Sequence, residues 1–273
     1  MCHALLPVWH LLTMIPMVKI HRCLWPALAL AVLSWSCSAG AQTLRVAHCL
    51  AGCPRGAAPD NDLIIRSLYT LSFNHQTRVA DWVAYSVSQG SIGVASNLSR
   101  EPLPDPYVAD VLTVEDYEGS VSGAQVERAL FVPLVSFAGT PYWQEVNYLT
   151  NMVPRNPELS RGSWYGLEWA VRNLASRGGE VYVLSGPLFE EGRQMMPLST
   201  DKPHRVPSGF FSVIASDQGE ITAFRFDQQQ AFHVHHCDLR ASLSDIESAT
   251  GLDLFPEAPQ WPAGNLDQRL GCN

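Results

Sequence analysis

The sequence predicts an α+β fold: a mostly antiparallel central sheet flanked by helices. Three observations lead there. Stretches with strand alternation and stretches with helical periodicity are interspersed along the chain. Their order shows no regular strand–helix–strand repeat of the kind that builds parallel sheets. Finally, 47% of the 273 residues are hydrophobic, enough for a substantial core in one large domain.

The first 41 residues read as a secretory signal peptide. Lys19 and Arg22 form a basic patch, an apolar run follows from Ala27 to Trp35, and Ala39-Gly40-Ala41 offers a small-residue cleavage site before Gln42. A start at Met14 or Met17 would give a more ordinary leader length. The apolar run is too short to span a bilayer, so the expected destination is secreted or periplasmic. Cys37 raises the rival of a lipoprotein anchor, although Ser34-Trp35-Ser36 poorly matches the small and aliphatic residues that precede a lipidated cysteine. A single domain is then expected over residues 42–273.

Within it, residues 63–73 and 78–87 read as two strands joined at Asn74-His75-Gln76-Thr77. Residues 88–124, rich in Ser, Gly, Pro and Asp, read as a long surface excursion. Val126 to Ala138 reads as a short strand running into a buried turn, and Trp143 to Thr150 as a short helix. Ser160 to Ala175 is the best helical stretch. Trp164, Leu167, Val171 and Leu174 recur there at three- and four-residue spacing, and Arg177-Gly178-Gly179 stops it. Val181 to Ser185 is a buried strand, and Phe210–Ala215 with Glu220–Asp227 forms a hairpin across Asp217-Gln218-Gly219. Leu243 to Thr250 is a small amphipathic helix ended by Gly251, and Pro-rich coil closes the chain.

The leader holds two of the 18 basic residues and none of the 26 acidic ones, so the remainder carries 16 against 26, a net of −10. No long-range field draws in a polyanion, and contact with nucleic acid must come from a local cluster of arginines. Removing the leader also leaves four of seven cysteines: Cys49, Cys53, Cys237 and Cys272. An even count after secretion suggests two disulfides. Cys49 with Cys53 would close a tight N-terminal loop, and Cys237 with Cys272 would tie the C-terminal segment onto a strand. The rival is a four-cysteine zinc site, which needs two close pairs where this chain has one.

Seven segments carry a resemblance: Cys49–Pro54, Asp81-Trp82-Val83-Ala84-Tyr85, Pro133–Gly139, Asn147-Tyr148-Leu149-Thr150-Asn151, Gly162-Ser163-Trp164 through Glu168, Ser185-Gly186-Pro187-Leu188-Phe189, and His204-Arg205-Val206-Pro207. From about Val46 to Cys272 the chain resembles the DNA/RNA non-specific endonucleases, secreted nucleases of the ββα-metal (His-Me finger) fold. The resemblance implies hydrolysis of phosphodiesters with one Mg²⁺. A motif histidine activates water and an asparagine binds the metal directly. A glutamate holds the metal's waters, one arginine neutralises the phosphate, and an upstream arginine stabilises the transition state.

Carried onto this chain, the family's Asp-Arg-Gly-His motif has become Glu127-Arg128-Ala129-Leu130, with Leu130 in the place of the general base. Ser160 stands at the metal-binding asparagine. Ser96 stands at the upstream arginine, with Arg100 as a substitute. Asn151, Glu168, Arg172 and Arg128 remain. The resemblance assigns nucleic-acid contacts to Arg128, Arg172 and Asn151, catalytic roles to Glu127, Arg128 and Arg172, and contact with the metal's bound waters to Glu168. A leucine accepts no proton, and losing a general base typically costs about 10² to 10⁴ in rate.

The leading expectation is therefore a catalytically impaired pseudonuclease whose cleft is reused for nucleic acid or, as readily, a protein partner. The alternative is an active endonuclease with a substituted base, either His75 or a Glu127 raised by burial. A third is an envelope-associated domain held through Cys37. Plainer readings stand beside each residue. Glu168 and Arg172 make a helix-surface ion pair, Arg128 serves as a structural hydrogen-bond hub, and Leu130 fills a vacated pocket. His233 and His235 would share one strand face as a two-ligand metal start, His48 is incidental, and Asn97-Leu98-Ser99 has the glycosylation pattern.

Overall fold

A computed structural model describes residues 45–258, 262 and 264–273. The expected signal peptide, its cleavage site and Cys37 lie outside the described residues. Seven strands form one sheet in the order β1-β2-β3-β6-β7-β8-β9, with every neighbouring pair antiparallel. The strands are β1 (Asp62–Ile65), β2 (Tyr69–Asn74), β3 (Val79–Ser88), β6 (Glu180–Leu188), β7 (Gly209–Ser216), β8 (Ile221–Asp227) and β9 (Arg240–Ala241). A separate two-stranded ribbon pairs β4 (Glu127–Leu130) with β5 (Met152–Arg155).

Alternation explains how the sheet is covered on both sides. On β3, Val83, Tyr85 and Val87 enter one apolar cluster while Trp82 and Ala84 enter another. On β7, Phe210 and Ile214 go one way and Phe211, Val213 and Ala215 the other. The first face receives α2 (Ser163–Ser176) and the ribbon. The second receives α3 (Leu243–Thr250), through Ile246, and the loop closed by Cys49 and Cys53. Ser242 caps α3 by accepting from the Asp245 amide, and Gly251 ends it at φ +73°.

Several boundaries differ from expectation. Residues 63–73 are not one strand but a hairpin turning at 66–68, where the Arg66 guanidinium is drawn to buried Asp105 and stacks on Tyr107 and Tyr148. The 88–124 segment is no mere surface excursion, since Val108, Val111, Leu112 and Tyr117 are buried in it. Residues 143–151 form two 3₁₀ turns rather than one helix.

The expected 160–175 helix breaks at Gly162. A short helix, α1 (Pro157–Arg161), precedes α2. A Cβ on Gly162 would come within 2.5 Å of the Phe232 carbonyl oxygen, so glycine alone fits that corner. Cys49 pairs with Cys53 and Cys237 with Cys272. Cys237 sits in a 3₁₀ turn rather than a strand, and that turn packs against α2.

Candidate active centre

The ribbon, α1 and α2 bring the candidate residues together. The ribbon's register sets Glu127 opposite Arg155 and Leu130 opposite Met152. The chain leaves β5 at Asn156, whose side chain caps α1 by accepting from the Glu158 amide at 2.7 Å. Gln228 staples this corner to the sheet. It accepts from the Asn156 amide at 2.9 Å and donates to the carbonyls of Pro154 and Pro207. Ser160 lies at the end of α1. Trp164, Glu168 and Arg172 follow at four-residue spacing, one above another on one face of α2.

At the middle of these elements stands a residue sequence reasoning passed over, Arg155. It is 3% exposed. Its Nη2 donates to the Leu130 carbonyl oxygen at 2.9 Å and its Nε to the Ser160 hydroxyl at 3.2 Å. The guanidinium lies over the Trp164 ring, 4.2 Å from the centroid, and 5.6 Å from that of Phe210. Desolvation pulls its pKa down to about 10, against the carboxylates of Glu168 and Glu127, so it stays charged at neutral pH. The available signal was local: a charged residue closing a run, Met152-Val153-Pro154, that is otherwise apolar.

Glu168 and Arg172 are not a surface ion pair. Their side chains are 16% and 9% exposed, with the Arg172 Nη1 3.6 Å from the Glu168 carboxylate. Glu168 also accepts from the Trp164 indole at 2.9 Å. Burial pushes its carboxyl above the ordinary range, opposed by Arg155 and then Arg172. Arg172 Nη1 is buried without a hydrogen bond and lies nearest the Glu168 carboxylate.

Other assignments need correction. Asn151 is fully buried. Its side-chain oxygen accepts from the Val132 amide at 2.9 Å, and its nitrogen donates to the Val132 and Val146 carbonyls. None of its amide is left for nucleic acid. The Arg128 side chain, expected as a hydrogen-bond hub, has no hydrogen-bond or ion-pair partner among the described residues; its charge acts on the buried Tyr117. Glu127 is not deeply buried, and its carboxylate accepts from the exposed Arg161 at 2.8 Å.

His75 does not reach this centre. Its Nε2 sits 3.0 Å from Asp62, at the sheet's β1 edge. His48 bonds with the Thr70 hydroxyl and the Ser67 carbonyl. Ser96, Asn97 and Arg100 are exposed loop residues. His233 and His235 share no strand, because residues 231–235 form a turn. His235 instead stacks on His236 with ring centroids 4.3 Å apart. Neighbouring Cys237 is spent in its disulfide. Leu130 is half-buried and packs against the main apolar cluster.

A histidine-free motif on the ribbon thus accompanies a helix that carries Glu168 and Arg172. The model of the DNA/RNA non-specific endonucleases matches residues 54–261. The chain belongs to that family. A nuclease of Serratia marcescens is 34% identical to it, the alignment covering 89% of this chain and 94% of that one. The human mitochondrial nuclease EXOG is 27% identical over 69% of this chain and 55% of its own length. Among solved structures, one titled as the EndoG/EndoGI complex and the mechanism of EndoG inhibition matches with TM-score 0.61 and 21% identity. It covers 72% of this chain and 86% of that one, a likeness of fold.

The family suggests a divalent metal, but the residues present here do not fit one. A metal site needs oxygen donors free to face the ion. The Ser160 hydroxyl already accepts from Arg155, and the charge of that buried guanidinium acts on Glu168. Among the described residues, no helix is long and apolar enough to cross a membrane.

Proposed function

We propose that this member of the DNA/RNA non-specific endonuclease family is a secreted, catalytically impaired pseudonuclease. It keeps the fold and part of the phosphate cleft while lacking the hydrolytic centre. One observation carries the reading: the hydrocarbon of Leu130 stands where the family requires a proton acceptor, half-buried against the core. The two candidate replacements are engaged elsewhere, Glu127 with Arg161 and His75 with Asp62. The cleft's remaining role is binding. Arg128 supplies local positive charge for nucleic acid, and the acidic balance of the chain favours a protein partner equally.

The direct test is digestion of plasmid DNA and of RNA with Mg²⁺ or Mn²⁺ at high protein concentration, beside the Serratia marcescens nuclease. A rate lower by about 10² to 10⁴ or more supports the impaired centre. Rates equal to that enzyme's overturn it. Secretion is part of the same reading: a processed chain beginning at Gln42, folded as one domain, is the product expected from N-terminal sequencing of exported protein.

A further inference from the structure

We infer that Arg155 is a tethered cation standing in for a divalent metal, so that the centre of this chain is built to hold no metal ion. The inference rests on the assignment of Leu130 and Ser160 to the base and metal-ligand positions. Two hydrogen bonds and one longer-range electrostatic interaction converge on one guanidinium. It donates to the backbone oxygen of Leu130 and to the hydroxyl of Ser160, the two altered positions, and its charge acts on Glu168, the carboxylate assigned to hold the metal's waters.

The two altered side chains therefore belong to one arrangement. A serine hydroxyl is short enough to leave room for the guanidinium and accepts a hydrogen bond from it. A leucine brings no second cation or donor to the same space. The guanidinium lies over the Trp164 and Phe210 rings, which suits a planar delocalised cation and not a hydrated ion. A divalent ion near this fixed charge would meet repulsion in a setting where solvent screens little. It would also have to share the Ser160 oxygen with the guanidinium.

The consequence is that restoring the asparagine at position 160 cannot by itself restore a metal site; the guanidinium must leave too. Arg155→Gln removes the charge and keeps an amide donor for the Leu130 carbonyl. Titration calorimetry with Mn²⁺ and Mg²⁺, with thermal unfolding in either ion or in EDTA, reads binding without relying on hydrolysis. Native protein and Ser160→Asn should show no binding heat and the same Tm in metal and in EDTA. Ser160→Asn combined with Arg155→Gln should bind Mn²⁺ and melt higher in its presence.

Mn²⁺ binding by the native chain, or binding by Ser160→Asn as tight as by the double variant, would overturn the inference. Should the glutamine variant fail to fold, native protein and Ser160→Asn with Arg155→Lys decide the matter, since either one binding Mn²⁺ removes the tethered cation. The two readings fail separately. A native chain that binds Mn²⁺ yet cuts nothing loses the tethered cation and keeps the impaired centre. One that cuts DNA in EDTA loses the impaired centre and supports a cation supplied by the protein.

Discussion

The seven-stranded sheet and the two-stranded ribbon are held by different means. The sheet is secured by many side chains that act nearly independently, with Trp82 and Phe211 on one face and Phe73, Phe210 and Phe224 on the other, all buried to 2% exposure or less. The ribbon and the corner after it depend on a few polar residues with several partners each: Asn151, Arg155 and Gln228. Apolar packing adds roughly by area and forgives similar shapes. A buried polar network does neither, because each lost partner strands another group. On the proposed reading, the difference explains how the scaffold of this chain persists while its centre is altered at several positions together.

The largest effect expected from breaking that contrast is catalytic. Leu130→His, Ser160→Asn and Arg155→Gln together should raise plasmid cleavage in Mn²⁺ by about 10² to 10⁴ over the native chain. Leu130→His with Ser160→Asn but Arg155 intact should stay near the native rate. Equal gains in both would show that the network does not act as a unit.

Stability should separate the two regions next. Asn151→Leu keeps the volume but strands the Val132 amide and two carbonyls, and should cost about 3 kcal/mol or more. Leu184→Met, equally conservative in volume within the sheet, should cost under about 1.5 kcal/mol. Urea unfolding of both variants measures the difference, and similar losses would refute the contrast.

A pH scan sharpens the comparison by bringing in the 88–124 segment, which follows neither pattern. Asp116 joins that segment to Thr200 and Lys202. Burial would raise its carboxyl, but Lys202, the Thr113 amide and Thr200 outweigh it and bring the pKa down to about 2. A depressed acid stabilises the fold above its unfolded pKa of about 3.8 and loses that support as pH falls toward 2. Asp116→Asn should therefore cost on the order of 2 kcal/mol at pH 7, and the gap from native should close between about pH 4 and pH 2.

The smallest effect is reserved for Glu127. Its contact with Arg161 is a mostly solvated pair, so Glu127→Gln should change stability by under about 1 kcal/mol. It should also leave any residual cleavage unchanged. A clear drop in cleavage would instead make Glu127 a substitute base.

Legibility in the sequence followed the same division. The strand at 78–87 and the 210–227 hairpin were readable because apolar alternation is a local signal, and the capped end of α3 because Gly251 permits its positive φ. The ribbon's second strand, β5, was missed: four residues containing Pro154 show no alternation, and all four are buried. The break at Gly162 was missed because its cause, the Phe232 carbonyl, lies seventy residues further along the chain.

Glu168 and Arg172 lie on the helix that the periodicity predicts, but their surroundings, and the 3₁₀ turn and buried partners of Asn151, were not legible. The same is true of Arg155, which reads in isolation as a solvated charge at a strand end.

The amino-acid order by itself determined the fold class, the family, and the absence of a proton acceptor at position 130, since these depend on side-chain identity and near-neighbour pattern. Only the tertiary structure decided that Arg155 sits between Leu130, Ser160 and Trp164. Its burial and partners come from packing β5, α1 and α2 against one sheet face, and a guanidinium's role is set by what surrounds it in space.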